Sequence, residues 1–210
     1  MPRPIFDEAS HTYTTPDGRP LSGVTAILGE YVRVERLNCA IHVTSGNSIP
    51  LPILDAAADF GTAVHTALEY ALEYGSGGFD YPDKLAPVVD QIQKFIDFYQ
   101  PEPILTEIPL YSEHYHFAGT PDLFCKIKGK YCLIDAKTGA NDLVGPQTAA
   151  YEQLVREETG IKKVIDRYLL ALPKNGADYR FVPLTNPLDW TYFKNKRFIY
   201  NFNKELTHGK

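Results

Sequence analysis

Three ionisable residues fall close together in the stretch AGTPDLFCKIKGKYCLIDAKTG: Asp122, Asp135 and Lys137. The segments around them have the β-branched, aromatic and aliphatic character of two strands joined by a tight turn at Lys128-Gly129. Carboxylates therefore stand where strand geometry prefers Val, Ile or Tyr. Side chains of a strand alternate between faces, which puts Tyr131, Leu133, Asp135 and Lys137 on one face and Cys132, Ile134 and Ala136 on the other. Asp135 and Lys137 are then neighbours, roughly 7 Å apart at Cα. The hairpin returns Asp122 toward the same end of the sheet, and Gly119-Thr120-Pro121 just before it is a candidate bulge that re-aims the side chain.

Two carboxylates converging at low dielectric repel one another strongly unless a positive charge sits between them, and a hard divalent cation fills that role. Phosphodiester hydrolysis needs such a cation to acidify an attacking water and to neutralise charge developing on the phosphate, with a positive side chain nearby to orient or deprotonate the nucleophile. Asp122, Asp135 and Lys137 supply those parts. The bland alternative is a surface hairpin with a solvated Asp-Lys pair, which is common.

The elements that must hold these residues are legible in outline. Pro16-Asp17-Gly18 between Tyr-, Thr- and Leu-bearing flanks predicts a hairpin, TAILGEYV a short helix, and residues 42–52 an irregular loop. From 53 to about 74, Phe60, Val64, Ala67, Leu68 and Ala71 recur at helical spacing, and a second helix is predicted from about 84 to 99 before Pro101 and Pro103 stop it. Segments 104–111, 116–127 and 130–137 read as three consecutive strands. Pro146 fits the first position of a helix that Gly160 ends; two further strands follow in KVIDRYLLALPK and DYRFVPL, and Asn186-Pro187 opens a last aromatic-rich helix running to about 206. The expectation is one domain over 1–210, with an N-terminal hairpin and loop (1–52), a core (53–185) and a C-terminal helix and tail (186–210).

The strings G-T-P-D (119–122) and I-D-A-K-T-G (134–139) resemble the PD-(D/E)XK nuclease superfamily, specifically its RecB-like branch, which includes phage exonucleases and the mitochondrial genome-maintenance exonuclease. Gly61-Thr62-Ala63-Val64-His65 matches that branch's upstream G-x-x-x-H helix, and Gln147-Thr148-Ala149-Ala150-Tyr151 its Q-x-x-x-Y helix, in the same order along the chain. The opening HTY…DGRPLSGVTAIL also looks like openings common among phage members. The resemblance covers residues 61–151 and implies a restriction-endonuclease-like α/β core, a central mixed β-sheet flanked by α-helices.

It further implies that His65, Asp122, Asp135 and the main-chain carbonyl of Ala136 ligate the metal, that Lys137 is the catalytic lysine beside Asp122 and Asp135, and that Gln147 and Tyr151 support the lysine or touch DNA. Oxygen ligands suit Mg²⁺ or Mn²⁺, and one imidazole favours Mn²⁺ somewhat. Three scattered cysteines, where an iron-sulfur subgroup uses four, imply no iron-sulfur cluster. Taken alone, His65 reads as a satisfied or surface histidine and Tyr151 as a packed core tyrosine. Glu69, one turn beyond His65, reads as either a supporting or a solvated glutamate, and Glu107 as exposed or supporting.

The implied activity is a metal-dependent deoxyribonuclease, an exonuclease in DNA replication, recombination or repair and of phage type, acting on a single strand or a duplex end. A structure-specific or restriction-like endonuclease, a non-catalytic DNA-binding module of the same fold, and a nuclease needing a protein partner or self-association are the alternatives. Net charge is −5, from 21 Lys and Arg against 26 Asp and Glu, so no global basic surface recommends nucleic acid. Lys126, Lys128 and Lys130, and Lys194, Lys196 and Arg197 among the aromatics of the last helix, are the candidate contacts, although a core-facing aromatic stripe with solvated lysines opposite explains the latter better. Cys39, Cys125 and Cys132 have no disulfide or zinc spacing. No run approaches the ~18 apolar residues of a membrane span, and MPRPIFDEAS lacks the order of a signal peptide, so a soluble cytoplasmic protein is expected.

Overall fold

The computed structural model describes residues 2–7, 10–29, 56–75 and 81–208. The expected loop at 42–52 and Cys39 lie outside the described residues. Three short strands, β1 (Ile5–Asp7), β2 (Thr12–Thr14) and β3 (Pro20–Gly23), form an antiparallel meander whose second turn holds Pro16-Asp17-Gly18. The helix α1 (Val24–Leu28) follows, then α2 (Ala56–Tyr74), and then α3 (Ala86–Tyr99), which a 3₁₀ turn at Asp83–Leu85 introduces.

The strands expected at 104–111 and 116–127 are each broken in two. They become β4 (Glu102–Thr106), β5 (Leu110–Ser112), β6 (Phe117–Gly119) and β7 (Leu123–Ile127), followed by β8 (Lys130–Lys137). The breaks have local causes: Glu107 sits at φ 49°, outside the strand region, and Pro109 and Pro121 have no N–H to give to a ladder. The chain changes sheet at both breaks, so the expected bulge at Gly119-Thr120-Pro121 is a strand break. Among the described residues two five-stranded sheets result, ordered β1-β2-β3-β6-β5 and β10-β9-β8-β7-β4 once β9 (Ile165–Ala171) and β10 (Arg180–Pro183) are added. Each sheet is mixed, with β3 parallel to β6 in the first and β8 parallel to β9 in the second. The turn between β7 and β8 holds Lys128 at φ 49° and Gly129 at φ 79°, the two positive values that a tight hairpin turn requires.

Between β8 and β9 runs α4 (Val144–Thr159), two residues earlier than expected, so Pro146 is its third residue and still among the first four N–H positions that lack a helical partner. The final helix is α5 (Asp189–His208). The larger sheet is a wall between two apolar layers. Leu123 and Cys125 of β7 and Cys132, Ile134 and Ala136 of β8 pack with Val64, Leu68, Ile92 and Phe95 of α2 and α3. Phe124 and Leu133 project the other way against Tyr151 and Leu154 of α4 and the smaller sheet. Burying each such large side chain contributes about 1.5–3 kcal/mol, and the alternation fixes strand register, because a one-residue slip would turn both layers inside out. Asp135 and Lys137 share the Leu133 face, as their spacing predicts.

The aromatic residues of α5 divide between two faces. Trp190 and Phe193 pack inward, while Tyr192, Phe198 and Phe202 are exposed, and the Lys194 and Lys196 ammonium groups lie over the Trp190 and Tyr192 rings. A purely core-facing stripe is therefore not what forms. Among the described residues no helix is long and apolar enough to cross a membrane.

Candidate active site

The two sheet-changing breaks place two carboxylates face to face. In the β4–β7 ladder Thr106 pairs with Leu123, so Glu107 and Asp122, each one step further along, stand opposite one another, and the Glu107 N–H donates to the Asp122 main-chain oxygen at 3.2 Å. His65 of α2 reaches over this strand end from the opposite layer. Its Nδ1 donates to Glu107 Oε1 at 2.9 Å and lies 3.3 Å from Asp122 Oδ1. Ligand atoms of His65, Glu107 and Asp122 all fall within 4.8 Å of one another.

Asp122 is pinned from behind. Its Oδ2 accepts the Ala136 N–H at 2.6 Å, a donor that the β7–β8 ladder leaves over because β7 begins only at Leu123. The Lys137 carbonyl accepts from Leu172 and so faces β9; by alternation the Ala136 N–H and C=O both face the Asp122 side, where the resemblance places a carbonyl ligand. Asp135 is buried next door with Lys137 Nζ 2.9 Å from its Oδ2, yet neither Asp135 oxygen accepts a well-angled hydrogen bond among the described residues. Asp135 does not join the tight trio of ligand atoms; Glu107 does. Glu107 is the residue that sequence reasoning undervalued, because its inward turn depends on the left-handed backbone at that one position.

The electrostatics are those of a crowded acidic site. Burial alone would lower the His65 pKa, but the charges and hydrogen bonds of Asp122 and Glu107 overcome it and raise it to about 10. Burial, the charge of Asp122 and that of Glu69 push Glu107 up to about 7 against the pull of the imidazolium. Asp122 opposes its own burial with the His65 charge and bond, the Lys137 charge and the Ala136 N–H, and its pKa goes down. Burial raises Asp135, with Asp122 adding to the shift and Lys137 resisting it. Without a cation, a proton on His65 holds the two nearest carboxylates together.

These groups open onto a cleft of about 890 Å³. Gln147 and Tyr151, one helical turn apart on α4, reach it from the Asp135 face, and Gln147 Nε2 donates to the Tyr151 hydroxyl at 3.0 Å. The Tyr151 ring packs on Gly119, where a Cβ would lie 2.6 Å from Cε1, so the glycine of G-T-P-D is required for space. Glu69 lines the same cleft and adds to its negative field. Lys130 stands at the closed end of the β7–β8 hairpin, roughly 17 Å along β8 from Asp135, and Lys128 in the turn beyond it; neither lines the cleft. Arg167 fixes α4 in place: it donates to the Gly145 carbonyl at 2.8 Å and lies 3.1 Å from the buried Asp189 carboxylate of α5.

One imidazole nitrogen and carboxylate oxygens within a few ångströms, with the buried Asp135 carboxylate beside them, are a donor set that fits a hard divalent cation such as Mg²⁺ or Mn²⁺. His65, Glu107 and Asp122 would hold it, with Asp135 and the Ala136 carbonyl beside them.

No protein-family model matches this chain, and no curated protein matches it. Among solved structures, a protein from Eubacterium rectale, named only as a candidate exonuclease, is similar at 15% identity over 72% of this chain and 67% of that one, with a TM-score of 0.42.

Proposed function

We propose that this chain is a divalent-metal-dependent deoxyribonuclease of the PD-(D/E)XK type, working as an exonuclease in DNA replication, recombination or repair. The observation that carries the reading is the convergence of His65, Glu107 and Asp122 within 4.8 Å, beside a buried Asp135–Lys137 ion pair, at the floor of one cleft. When bound, a divalent cation supplies Lewis acidity to the scissile phosphate and lowers the pKa of the attacking water.

The chain's own groups do the rest. Glu107 and Asp122 set the negative charge that attracts the cation, and the Ala136 N–H keeps Asp122 from turning away. Asp135 holds the Lys137 ammonium inside the cleft, where it can orient the water or neutralise a phosphate oxygen. Gln147 and Tyr151 form the wall behind the lysine and keep water out of the Asp135 side.

The test is a gel assay of linear duplex, covalently closed circular and single-stranded DNA with Mg²⁺ or Mn²⁺, comparing wild type with Lys137→Ala. Loss of linear but not circular substrate, abolished in the variant, supports the exonuclease. Cutting of the closed circle supports an endonuclease with the same chemistry. Binding of DNA with no cutting in any metal would leave a non-catalytic module.

A further inference from the structure

The cleft has a second wall that the catalytic groups do not use. Phe6 of β1 and Tyr13 of β2 are cross-strand partners with ring centroids 4.6 Å apart, and His11 at the intervening turn sets its ring 5.8 Å from Phe6, edge to face. All three line the cleft that holds His65, Glu107 and Asp122. Phe6 is half-buried, His11 is exposed and Tyr13 is 9% exposed. Tyr13 is the fixed member: its ring packs on Gly23, and its hydroxyl hydrogen-bonds Thr120 at 2.9 Å, only two residues before Asp122. The N-terminal meander is thereby clipped to the strand break that carries Asp122, and the parallel pairing of Ser22 and Gly23 with Phe117 and Ala118 makes the attachment continuous.

The charge of the cleft sharpens the question of what this wall is for. Among the described residues lining it, Lys137 is the sole lysine or arginine, while Glu69, Glu107 and Asp122 are acidic, in a chain of net charge −5. Among these residues a phosphate backbone finds one ammonium group to grip. Duplex DNA presents mainly phosphates at its surface and hides its base faces, whereas an unpaired strand offers a π-face at every nucleotide, and stacking on aromatic side chains is worth having whatever the base.

Resting on the nuclease reading for what the cleft holds, we infer that Phe6, His11 and Tyr13 form a base-stacking platform that makes single-stranded DNA, or the unpaired end of a duplex, the substrate of the site. Tyr13 anchors the platform, Phe6 presents its accessible face, and the stacked base positions its phosphate toward Asp122.

Fluorescence anisotropy of the full chain in calcium buffer tests this with three labelled probes: a dT 12-mer, a 12-mer of abasic sugar-phosphate, and a blunt hairpin duplex. The dT 12-mer is expected to bind more tightly than the other two. Phe6→Ala should weaken it about 10-fold and leave the abasic probe unchanged. Phe6→Leu, which keeps an apolar residue opposite Tyr13, should show an intermediate loss, and circular dichroism confirms that both variants are folded. Equal wild-type affinity for dT and abasic probes overturns the inference, as does tighter binding of the blunt duplex; the wild-type comparison decides even where the variants do not fold. Persistent cutting of linear DNA with no base dependence of binding sinks the platform and spares the nuclease, and base-dependent binding without cutting in Mg²⁺ or Mn²⁺ does the reverse.

Discussion

Gly119→Ala probes the contact on which the α4 wall of the cleft rests. The added Cβ would lie 2.6 Å from Tyr151 Cε1, 3.2 Å from its Cδ1 and 3.1 Å from Val24 Cγ2. Carbon atoms pack at about 3.5–4.0 Å, so the ring has to move by roughly 1 Å. Neither neighbour has room to yield, since Tyr151 is 5% and Val24 1% exposed. Overpacking of this kind costs about 1–3 kcal/mol. Shifting the ring also stretches the 3.0 Å bond from Gln147, whose loss costs about 1 kcal/mol more. For a chain of this size each kcal/mol lowers the melting temperature by about 2–4 °C, which puts Gly119→Ala roughly 4–16 °C below wild type.

Thermal unfolding by circular dichroism measures the drop, and a double-mutant cycle assigns it. Tyr151→Leu removes the ring that the new methyl strikes, so adding Gly119→Ala to that background should cost at least about 1 kcal/mol less than in wild type. A wild-type melting temperature for Gly119→Ala, or strict additivity with Tyr151→Leu, refutes the packing argument.

Glu107→Gln should cut the stabilisation by Mn²⁺ in a thermal-shift titration: a 100-fold loss of affinity reduces a gain of about 2.7 kcal/mol, present at 100 times Kd, to about 0.4 kcal/mol. Arg167→Met leaves the Asp189 carboxylate buried without its partner and should destabilise by about 3–5 kcal/mol in urea unfolding. In chelator, stability should decline as pH rises from about 5 to 10. Glu107 and His65 both bind protons more tightly folded than unfolded, so their contributions are complete below 4.5 and 6.5 and are lost through about 7 and about 10. Asp122, shifted down, sets only the acid limb. Melting curves across that range check the sign, and added Mg²⁺ should flatten the alkaline decline, because a cation replaces the protons.

The strand pair around Asp135 and Lys137 was legible because alternation over eight residues of β8 leaves no freedom about which face each side chain takes. The helices α2 and α4 were equally plain from apolar spacing and from Gly160, whose αL geometry closes α4. The sheet changes were not legible, since 104–111 and 116–127 each keep a strand-like composition across the break. Pro109 and Pro121 were the available signals: a proline inside a run argues against a continuous ladder. The meander's attachment to β6 was also hidden, because parallel pairing between residues 22 and 117 leaves no mark in local sequence. Glu107 followed the same logic. Its role depends on a positive φ that sequence favours at Gly or Asn, and nothing in ILTEIPL announces it.

The break points and the acidic cluster are one feature. A carboxylate in mid-strand has its neighbours' N–H and C=O groups already spent on the ladder, and its side chain is pressed against the layer above. Where β7 gives way to the Thr120-Pro121 crossing, the Ala136 N–H is left over, and Asp122 is the acceptor that takes it. Where β4 ends, the left-handed turn at Glu107 swings a second carboxylate to the same point. The opening between the sheets then admits His65 from the far layer, which an uninterrupted sheet would screen off. A single continuous five-stranded wall would keep Asp135 and Lys137 and lose the other three groups, so the loss of ladder hydrogen bonds at two positions is what assembles the site.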